Sequence, residues 1–256
     1  MKITILGCGG AGGVPLIGNN WGNCDSSEPR NRRLRVSILV EEGGQTLLVD
    51  TSPDMREQLL SCNLQDITAI LFTHAHADHA HGIDNIRAVN WLTGRSVPLY
   101  GSAETMDELR RRFEYIFEDR PESVKYYRPS VETHVFEDRS ALTFGPFHVQ
   151  TFPQPHGKVT STGFRFNDFA YTTDVAQMSE EAFVALRGVK VWVLGAIREK
   201  PHHTHAHVDL AVQWIQRIKP ERAYLTHMDH TLDYATLKAK LPDGIEPAYD
   251  GLVIEC

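Results

Sequence analysis

The sequence has few cysteines, no long apolar run and no excess of basic residues, and each of these features excludes a class of protein. Its four cysteines, Cys8, Cys24, Cys62 and Cys256, show no paired spacing, and no charged and apolar leader precedes the first apolar run. No apolar stretch approaches the roughly 18 residues that a membrane span needs. We therefore expect a reduced, cytoplasmic protein without a membrane anchor.

The balance of charges argues against a protein that binds long nucleic acid. The chain of 256 residues carries 26 Lys and Arg against 33 Asp and Glu, a formal net charge of −7, whereas proteins that bind long nucleic acid usually show a basic stripe. A small anionic substrate is compatible with this charge, since a few local Arg and Lys or bound metal ions can reverse the field in a cleft. The expected partner is therefore a small anionic molecule.

The order of β-rich and amphipathic stretches predicts an α/β protein. Hydrophobic residues make up 41% and charged residues 23% of the chain, which is ordinary for a globular protein, and we expect residues 1–256 to form a single domain. Strands that do not alternate strictly with helices favour two mixed sheets packed together with helices outside. The charged and aromatic segment 118–130 is predicted to be a surface flap or a dimer contact, which leaves a homodimer as an open alternative.

The first apolar run leads into a glycine-rich stretch at residues 7–13. Gly7, Gly9 and Gly12 match the dinucleotide-binding spacing, but that motif needs a helix at its last glycine, and the chain continues here as a loop through Val14-Pro15. We expect the glycines to let the backbone pass close to a ligand or a neighbouring strand. The basic segment that follows is either a solvated loop or a phosphate-facing edge, and its arginines are Arg30, Arg32, Arg33 and Arg35.

The densest cluster of reactive side chains lies at residues 73–79, directly after the apolar run Ile70-Leu71-Phe72. Three imidazoles and a carboxylate fall within six positions of each other, at His74, His76, Asp78 and His79. Histidine is the commonest metal ligand in proteins, and aspartate is a natural oxygen donor beside it. The alternative is a polar loop whose histidines cluster by chance. The position after a strand favours one half of a two-metal site.

Three further residues share this setting at the end of an apolar strand. They are His156, Asp174 and His227. A single His is more often structural, and a single Asp after a strand is usually a turn residue, but strand ends on one sheet edge converge in space, so a ligand role for the three together is favoured. Asp50 ends another predicted strand, where it either orients an imidazole by accepting its second ring N–H or is a turn residue.

This pattern of seven residues resembles the metallo-β-lactamase superfamily. The resemblance implies a four-layer αβ/βα sandwich with two mixed β-sheets and helices on the outer faces. It also implies two divalent metal ions per chain, with zinc or manganese expected. By the resemblance one ion is held by His74, His76 and His156, the other by Asp78, His79 and His227, and Asp174 bridges them.

Within the superfamily, the glycine run, Gly82-Ile83-Asp84 and Thr226-His227-Met228 look like the phosphodiesterase branch. This resemblance implies a hydrolase of a small phosphodiester, such as a cyclic ribose phosphate or a nucleotide. Two ions roughly 3.5–4 Å apart can share a water, lower its pKa and clamp the attacking and leaving oxygens, so that a bridging hydroxide attacks phosphorus. The predicted catalytic residues are Asp78, Asp174 and His205, of which His205 is the expected proton donor to the leaving group.

Several alternatives stay open at this point. The same fold could hydrolyse a thioester or a lactone, or the protein could be a non-catalytic, metal-bound ligand carrier. Arg87 is a candidate phosphate contact or a solvated helical residue. Cys24 has no partner cysteine nearby, so no closed structural zinc site is expected beside it. The other histidines of the 201–207 segment are predicted to be loop or helix-start residues, namely His202, His203 and His207.

Overall fold

The computed structural model describes residues 1–118 and 128–256, so most of the predicted flap, residues 119–127, lies outside the described residues. One sheet is formed by β1 (Lys2–Gly7), β2 (Ser37–Glu42), β3 (Gln45–Val49), β4 (Ala69–Leu71), β5 (Val97–Ser102), β6 (Val131–Phe136) and β14 (Val253–Glu255). Its spatial order is β14-β1-β2-β3-β4-β5-β6. The pairs from β14 to β3 are antiparallel and those from β3 to β6 are parallel.

The second sheet, like the first, has one antiparallel half and one parallel half. It is formed by β7 (Ala141–Phe144), β8 (Phe147–His156), β9 (Val159–Phe166), β10 (Phe169–Thr172), β11 (Val191–Gly195), β12 (Arg222–Thr226) and β13 (Ile245–Pro247). Its order is β13-β12-β11-β10-β9-β8-β7. The pairs from β13 to β10 are parallel and those from β10 to β7 are antiparallel. Both sheets are therefore mixed, as predicted.

The helices connect the strands on the outside of the sheets. They are α1 (Met55–Ser61), α2 (Ala77–Ala80), α3 (Ile86–Thr93), α4 (Ala103–Arg112), α5 (Glu114–Phe117), α6 (Glu180–Ala185), α7 (Val208–Ile218) and α8 (Tyr234–Lys240). Side-chain caps fix several starts, since Ser102, Ser179 and Asp233 each accept a backbone N–H from the first turn of α4, α6 and α8. Gly94, with φ 70°, ends α3 in the left-handed conformation.

Successive side chains along a strand of the first sheet point to opposite faces, so its apolar residues belong to two clusters, one on each face. Ile38 and Val40 of β2 belong to the cluster between the sheets, together with residues of the second sheet. Leu39 points the other way, into a cluster with α1, α3 and α4. Residues of α6, α7 and α8, among them Ala182 and Ile215, pack on the second sheet. This order of helices, sheet, sheet and helices confirms the predicted four-layer fold.

Some element boundaries differ from the sequence-based expectation. The amphipathic pattern of residues 105–117 predicts a single helix, but the structure breaks it at Phe113, where φ −121° and ψ 39° depart from helical values and separate α4 from α5. Strands β7 and β13 were not predicted, because both are short edge strands. Among the described residues, no helix has the length and apolarity to cross a bilayer.

Candidate metal centre

The loop after β4 carries four of the predicted ligands. It leaves the strand at Phe72, passes His74 and His76, and turns into the short helix α2, which begins after His76. Asp78 and His79 lie on this helix and are buried. Asp78 and His79 therefore reach the centre from one helical turn, while His74 and His76 reach it from the loop before that turn.

The other three predicted ligands follow strands of the second sheet. His156 is the last residue of β8, while Asp174 and His227 follow β10 and β12. Asp174 and His227 have φ values of 52° and 57°, a left-handed conformation that costs on the order of 1 kcal/mol or more for a residue with a side chain. The chain turns sharply at both residues, immediately after the strand that positions them.

The structure brings all seven predicted ligands together in two groups that share Asp174. One group contains His74, His76, His156 and Asp174, the other Asp78, His79, Asp174 and His227, and within each group the ligand atoms lie within 4.8 Å of one another. The Asp174 Oδ2 atom lies 3.7 Å from His74 Nε2 and 3.3 Å from His156 Nε2. Its Oδ1 atom lies 3.3 Å from His79 Nε2 and 3.1 Å from His227 Nε2. Asp174 thus faces both groups, one carboxylate oxygen to each.

Neighbouring polar groups fix the direction of these imidazoles. Asp50 Oδ2 lies 2.8 Å from His79 Nδ1, and the same carboxylate accepts the backbone N–H and the hydroxyl of Thr73, each at 2.8 Å. The carbonyl of Thr204 lies 2.8 Å from His156 Nδ1. In both histidines the Nδ1 side is bonded to protein, so the Nε2 lone pair is left for the centre. The predicted orienting role of Asp50 agrees with this geometry.

The electrostatic environment favours the neutral form of His74 and His76 and the charged form of His79 and Asp174. Burial lowers the pKa of His74 well below its usual value and also lowers the pKa of His76, and neighbouring imidazoles add to the effect. Burial opposes charge on His79 as well, but the carboxylates of Asp174, Asp78 and Asp50 outweigh it and raise the pKa. The surrounding imidazoles hold the pKa of Asp174 well below its usual value despite its burial. The carboxylate is therefore ionised, the form in which it binds a metal ion.

Two buried Nε2 atoms of the cluster lack a hydrogen bond. They belong to His74 and His79, lie 3.7 and 3.3 Å from Asp174 oxygens, and make no hydrogen bond with the described residues. A buried polar atom without a partner costs on the order of 1–3 kcal/mol. Divalent metal ions would satisfy these nitrogens and the ionised carboxylates together, and the mixed imidazole and carboxylate set suits zinc or manganese. The residues present therefore fit a metal centre.

His205 lies at the edge of this centre, as predicted for a residue that handles a proton. Its ring stacks on His227 at a centroid distance of 4.8 Å, and its Nδ1 atom lies 3.8 Å from Asp174 Oδ2. Burial lowers the pKa of His205 to about 3, against the opposing effect of Asp174. The chain alone therefore keeps His205 neutral at pH 7.

The structure places other predicted residues away from the centre. Arg87 pairs with Asp84 at 3.6 Å and lies over the ring of Trp91.

The glycines of the first loop allow close backbone approach, as predicted. A Cβ on Gly7 would lie 2.1 Å from the Arg35 carbonyl, and one on Gly9 would lie 2.9 Å from the Leu34 carbonyl.

The expectation of a solvated or phosphate-facing side chain is wrong for Arg33, which is only 2% exposed. Its guanidinium donates to the carbonyls of Leu232 and Asp229, at 2.6 and 3.0 Å, and to Asn31 Oδ1 at 3.2 Å. Cys24 Sγ lies beside it at 3.9 Å. We call Arg33, Asn31, Cys24 and the carbonyls of residues 229 and 232 the arginine cluster. It ties the loop after β1 to the loop after His227.

Comparison with known proteins agrees with this geometry. A profile for the β-lactamase superfamily domain matches residues 45–228. The chain belongs to the metallo-β-lactamase superfamily. A solved diphosphatase from the PhnP family is 36% identical with a TM-score of 0.91, and the match covers 100% of this chain and 97% of that one. That relative is named as a diphosphatase, and the His and Asp cluster of this chain could hold metal ions, as expected for a metal-dependent hydrolase.

Two curated relatives are more distant and longer. An octanoyltransferase from Porphyromonas gingivalis is 28% identical over 98% of this chain and 51% of its own length. A ribonuclease Z from Azobacteroides pseudotrichonymphae is 27% identical over 65% of this chain and 52% of its own length. The chain thus spans about half the length of the curated relatives that it matches.

Sequence reasoning missed residues that support the centre from outside. Thr73 and Thr204 orient imidazoles through a hydroxyl and a carbonyl, and the only sequence signal was that each adjoins a histidine of the site. Arg112 of α4 donates to the carbonyl of Ala75 at 2.5 Å, between the first two predicted ligands. No pattern in the sequence connects residue 112 with residue 75.

Proposed function

We propose that the chain hydrolyses a small phosphodiester with two divalent metal ions held by the seven His and Asp residues. The observation that carries this proposal is the pair of four-residue groups that share Asp174, one carboxylate oxygen facing each group. When bound, two such ions would supply charge for the phosphoryl oxygens and a water of lowered pKa. Zinc and manganese are the metals proposed.

The protein's own residues would hold and protonate the substrate. His205, stacked on His227, stands close enough to the two groups to hydrogen-bond a phosphate bound between them. The negative charge of that phosphate raises the pKa of His205, which then gives its proton to the departing oxygen. Asp78 and Asp174, both ionised, keep the centre charged and fixed in place.

A cavity beside the centre has room for a small substrate. It has a volume of about 480 Å³, and its polar lining includes His74, His76, Thr160, Arg111 and Arg112 together with the carboxylates of Glu104, Asp107 and Glu108. Ligand sites commonly have volumes of about 300–1,000 Å³. The size supports a nucleotide-like molecule, and the similar PhnP-family diphosphatase and ribonuclease Z are named for phosphorus chemistry.

The test is a substrate panel with purified, metal-loaded protein. The panel contains cyclic nucleotides, p-nitrophenyl phosphodiesters and dinucleoside diphosphates, with metal content measured on the same samples. We expect about two ions per chain and turnover of at least one phosphodiester, which D174A abolishes. Protein that contains two ions and hydrolyses no phosphorus compound would contradict the proposal.

A second candidate is hydrolysis of an acyl thioester. The observation that favours it is the match of nearly the whole chain to half of a protein named octanoyltransferase. An octanoyl thioester and a lactone in the same panel separate the two candidates. Metal binding without turnover of any substrate would instead support the ligand-carrier alternative.

A further inference from the structure

The segment between β11 and α7 contacts the centre through His205 and, just before it, Thr204. Its carbonyl lies 2.8 Å from His156 Nδ1, so it accepts the N–H that fixes the tautomer and direction of that imidazole. Its side chain packs on the turn after His156: a Cβ on Gly157, which has φ 64°, would lie 2.6 Å from Thr204 Cγ2. The next residue is His205. The position of Thr204 therefore affects two histidines of the site.

His202 binds the same residue from the other side. Its Nδ1 atom accepts the backbone N–H of Thr204 at 3.3 Å and lies 3.2 Å from the Thr204 hydroxyl. Because Nδ1 accepts here, the neutral ring carries its proton on Nε2. Thr204 is thus held between His202, at its N–H and hydroxyl, and His156, at its carbonyl.

We propose that His202 is a positioning residue that acts through Thr204 on His156 and His205. Without the acceptor at Nδ1, the Thr204 N–H and hydroxyl would lose their contact with His202, and the residue whose carbonyl orients His156 would be held less firmly. The His202 ring lies 5.1 Å from that of His205, and no hydrogen bond joins it to any of the seven predicted ligands within the described parts of the chain. It therefore acts through the backbone. This inference rests on the proposed metal centre.

A matched pair of variants isolates the hydrogen bond. H202N keeps an acceptor at the place of Nδ1, while H202L has a similar branched shape and no acceptor. The control is H203L, because His203 is the exposed neighbour whose ring stacks on His202 at 4.7 Å. Zinc affinity is measured on metal-free protein by competition with a chromophoric chelator, which needs no substrate. Kinetics follow on the phosphodiester that the wild type turns over.

We expect H202L to lose about tenfold in the affinity of one of the two zinc ions, and about tenfold in kcat with little change in KM. H202N should recover most of both losses, and H203L should match the wild type. Thermal unfolding monitored by circular dichroism checks that each variant is folded, and H202A replaces H202L if leucine prevents folding.

Two results would overturn the proposal. One is wild-type zinc affinity in H202L. The other is an H202N variant as poor as H202L together with a shifted limb of the pH–rate profile, which would give His202 a direct role in proton transfer. A wild-type chain that binds zinc but hydrolyses no phosphodiester contradicts the proposed function and leaves the affinity test of His202 valid. A wild-type chain that binds no zinc overturns both.

Discussion

The two buried polar sites that flank the loop after β12 satisfy their polar groups in different ways. In the arginine cluster, the guanidinium of Arg33 donates to three oxygens of the protein itself. In the centre formed by the seven His and Asp residues, imidazole nitrogens and carboxylate oxygens face one another across 3.1–3.7 Å. Two of those buried nitrogens, the Nε2 atoms of His74 and His79, make no hydrogen bond with the described residues.

The difference separates a structural site from a functional one. The terminal nitrogens of the buried Arg33 guanidinium have oxygen acceptors around them and join two loops, although its Nε atom makes no hydrogen bond with the described residues. A group of buried lone pairs and ionised carboxylates is costly until a cation enters it. Both sites include residues of the loop after β12 and both bury charge, so burial of charge alone does not identify the functional site. The functional site is identified by buried lone pairs and carboxylates that face one another, whereas the donors of the arginine cluster face acceptors.

The strongest test of this comparison is D174N, which removes the charge shared by both groups of ligands. We expect activity to fall on the order of 10³-fold or more, since the first group loses its only carboxylate and the second keeps only Asp78. Metal content, measured by mass spectrometry after dialysis, should fall as well. The control is D209N, an exposed aspartate of α7. Full activity in D174N would remove Asp174 from the proposed centre.

The second prediction concerns His205 and the leaving group. H205A should lower kcat about 10²–10⁴-fold for a diester with an alkyl alcohol leaving group, which needs a proton to depart. The loss should be much smaller for a p-nitrophenyl diester, because p-nitrophenolate departs without one. Parallel kinetics on the two substrates, with H203A as the control, check this. Equal losses on both substrates would argue for a role in binding instead.

The third prediction tests the arginine cluster. R33M removes the donors to three buried oxygens, so we expect the free energy of unfolding to fall by about 4 kcal/mol. The neighbouring Arg32 is exposed and lies over the ring of Trp21, and R32M should cost less than about 1 kcal/mol. Urea unfolding measures both. Folded R33M should still bind metal, and a loss of metal at full folding would show that the two sites are not separate.

The smallest expected effect is a pH dependence from Asp250, whose carboxylate accepts the backbone N–H groups of Cys8 and Leu34. Burial raises the pKa of Asp250 to about 6, above the ordinary value of 3.8. The folded state therefore holds this proton more tightly than the unfolded state, and the stability it contributes is lost as the pH rises from about 4 to about 6. The loss amounts to at most about 3 kcal/mol.

The check on Asp250 is the difference between two stability profiles. D250N loses an acceptor, and we expect it to be less stable than the wild type at every pH. Because it has no carboxyl group to titrate at residue 250, its free energy of unfolding should not show the decline between about pH 4 and about pH 6 that this group causes in the wild type. Other titrating groups are common to both proteins and cancel in the difference. D243N, which changes an exposed aspartate, should keep the wild-type decline. Parallel profiles for D250N and the wild type would contradict the assigned pKa.

The positions of the ligands were predictable because they depend on local pattern. Each of His74, His156, Asp174 and His227 stands at or just after the end of an apolar strand, and strand ends on one edge must meet. The four-layer fold followed from the same strands and from the resemblance that the ligands carry.

Contacts between distant segments were not predictable. Arg33 is buried because carbonyls about 200 residues further along surround it, and nothing next to Arg33 in the sequence distinguishes it from exposed Arg32. The same holds for Arg112 and Ala75. The break at Phe113 is also a tertiary effect, since the amphipathic pattern continues across it.

The placement of the ligands on both sheets has a mechanical consequence. His74 to His79 leave the first sheet, while His156, Asp174 and His227 leave the second. An ion held by both sets would act as a removable cross-link, closing loops of very different length in the way that a disulfide does. Chelation would then release the two halves of the sandwich from each other at their common edge, and metal supply would regulate the rigidity of the fold as well as its chemistry.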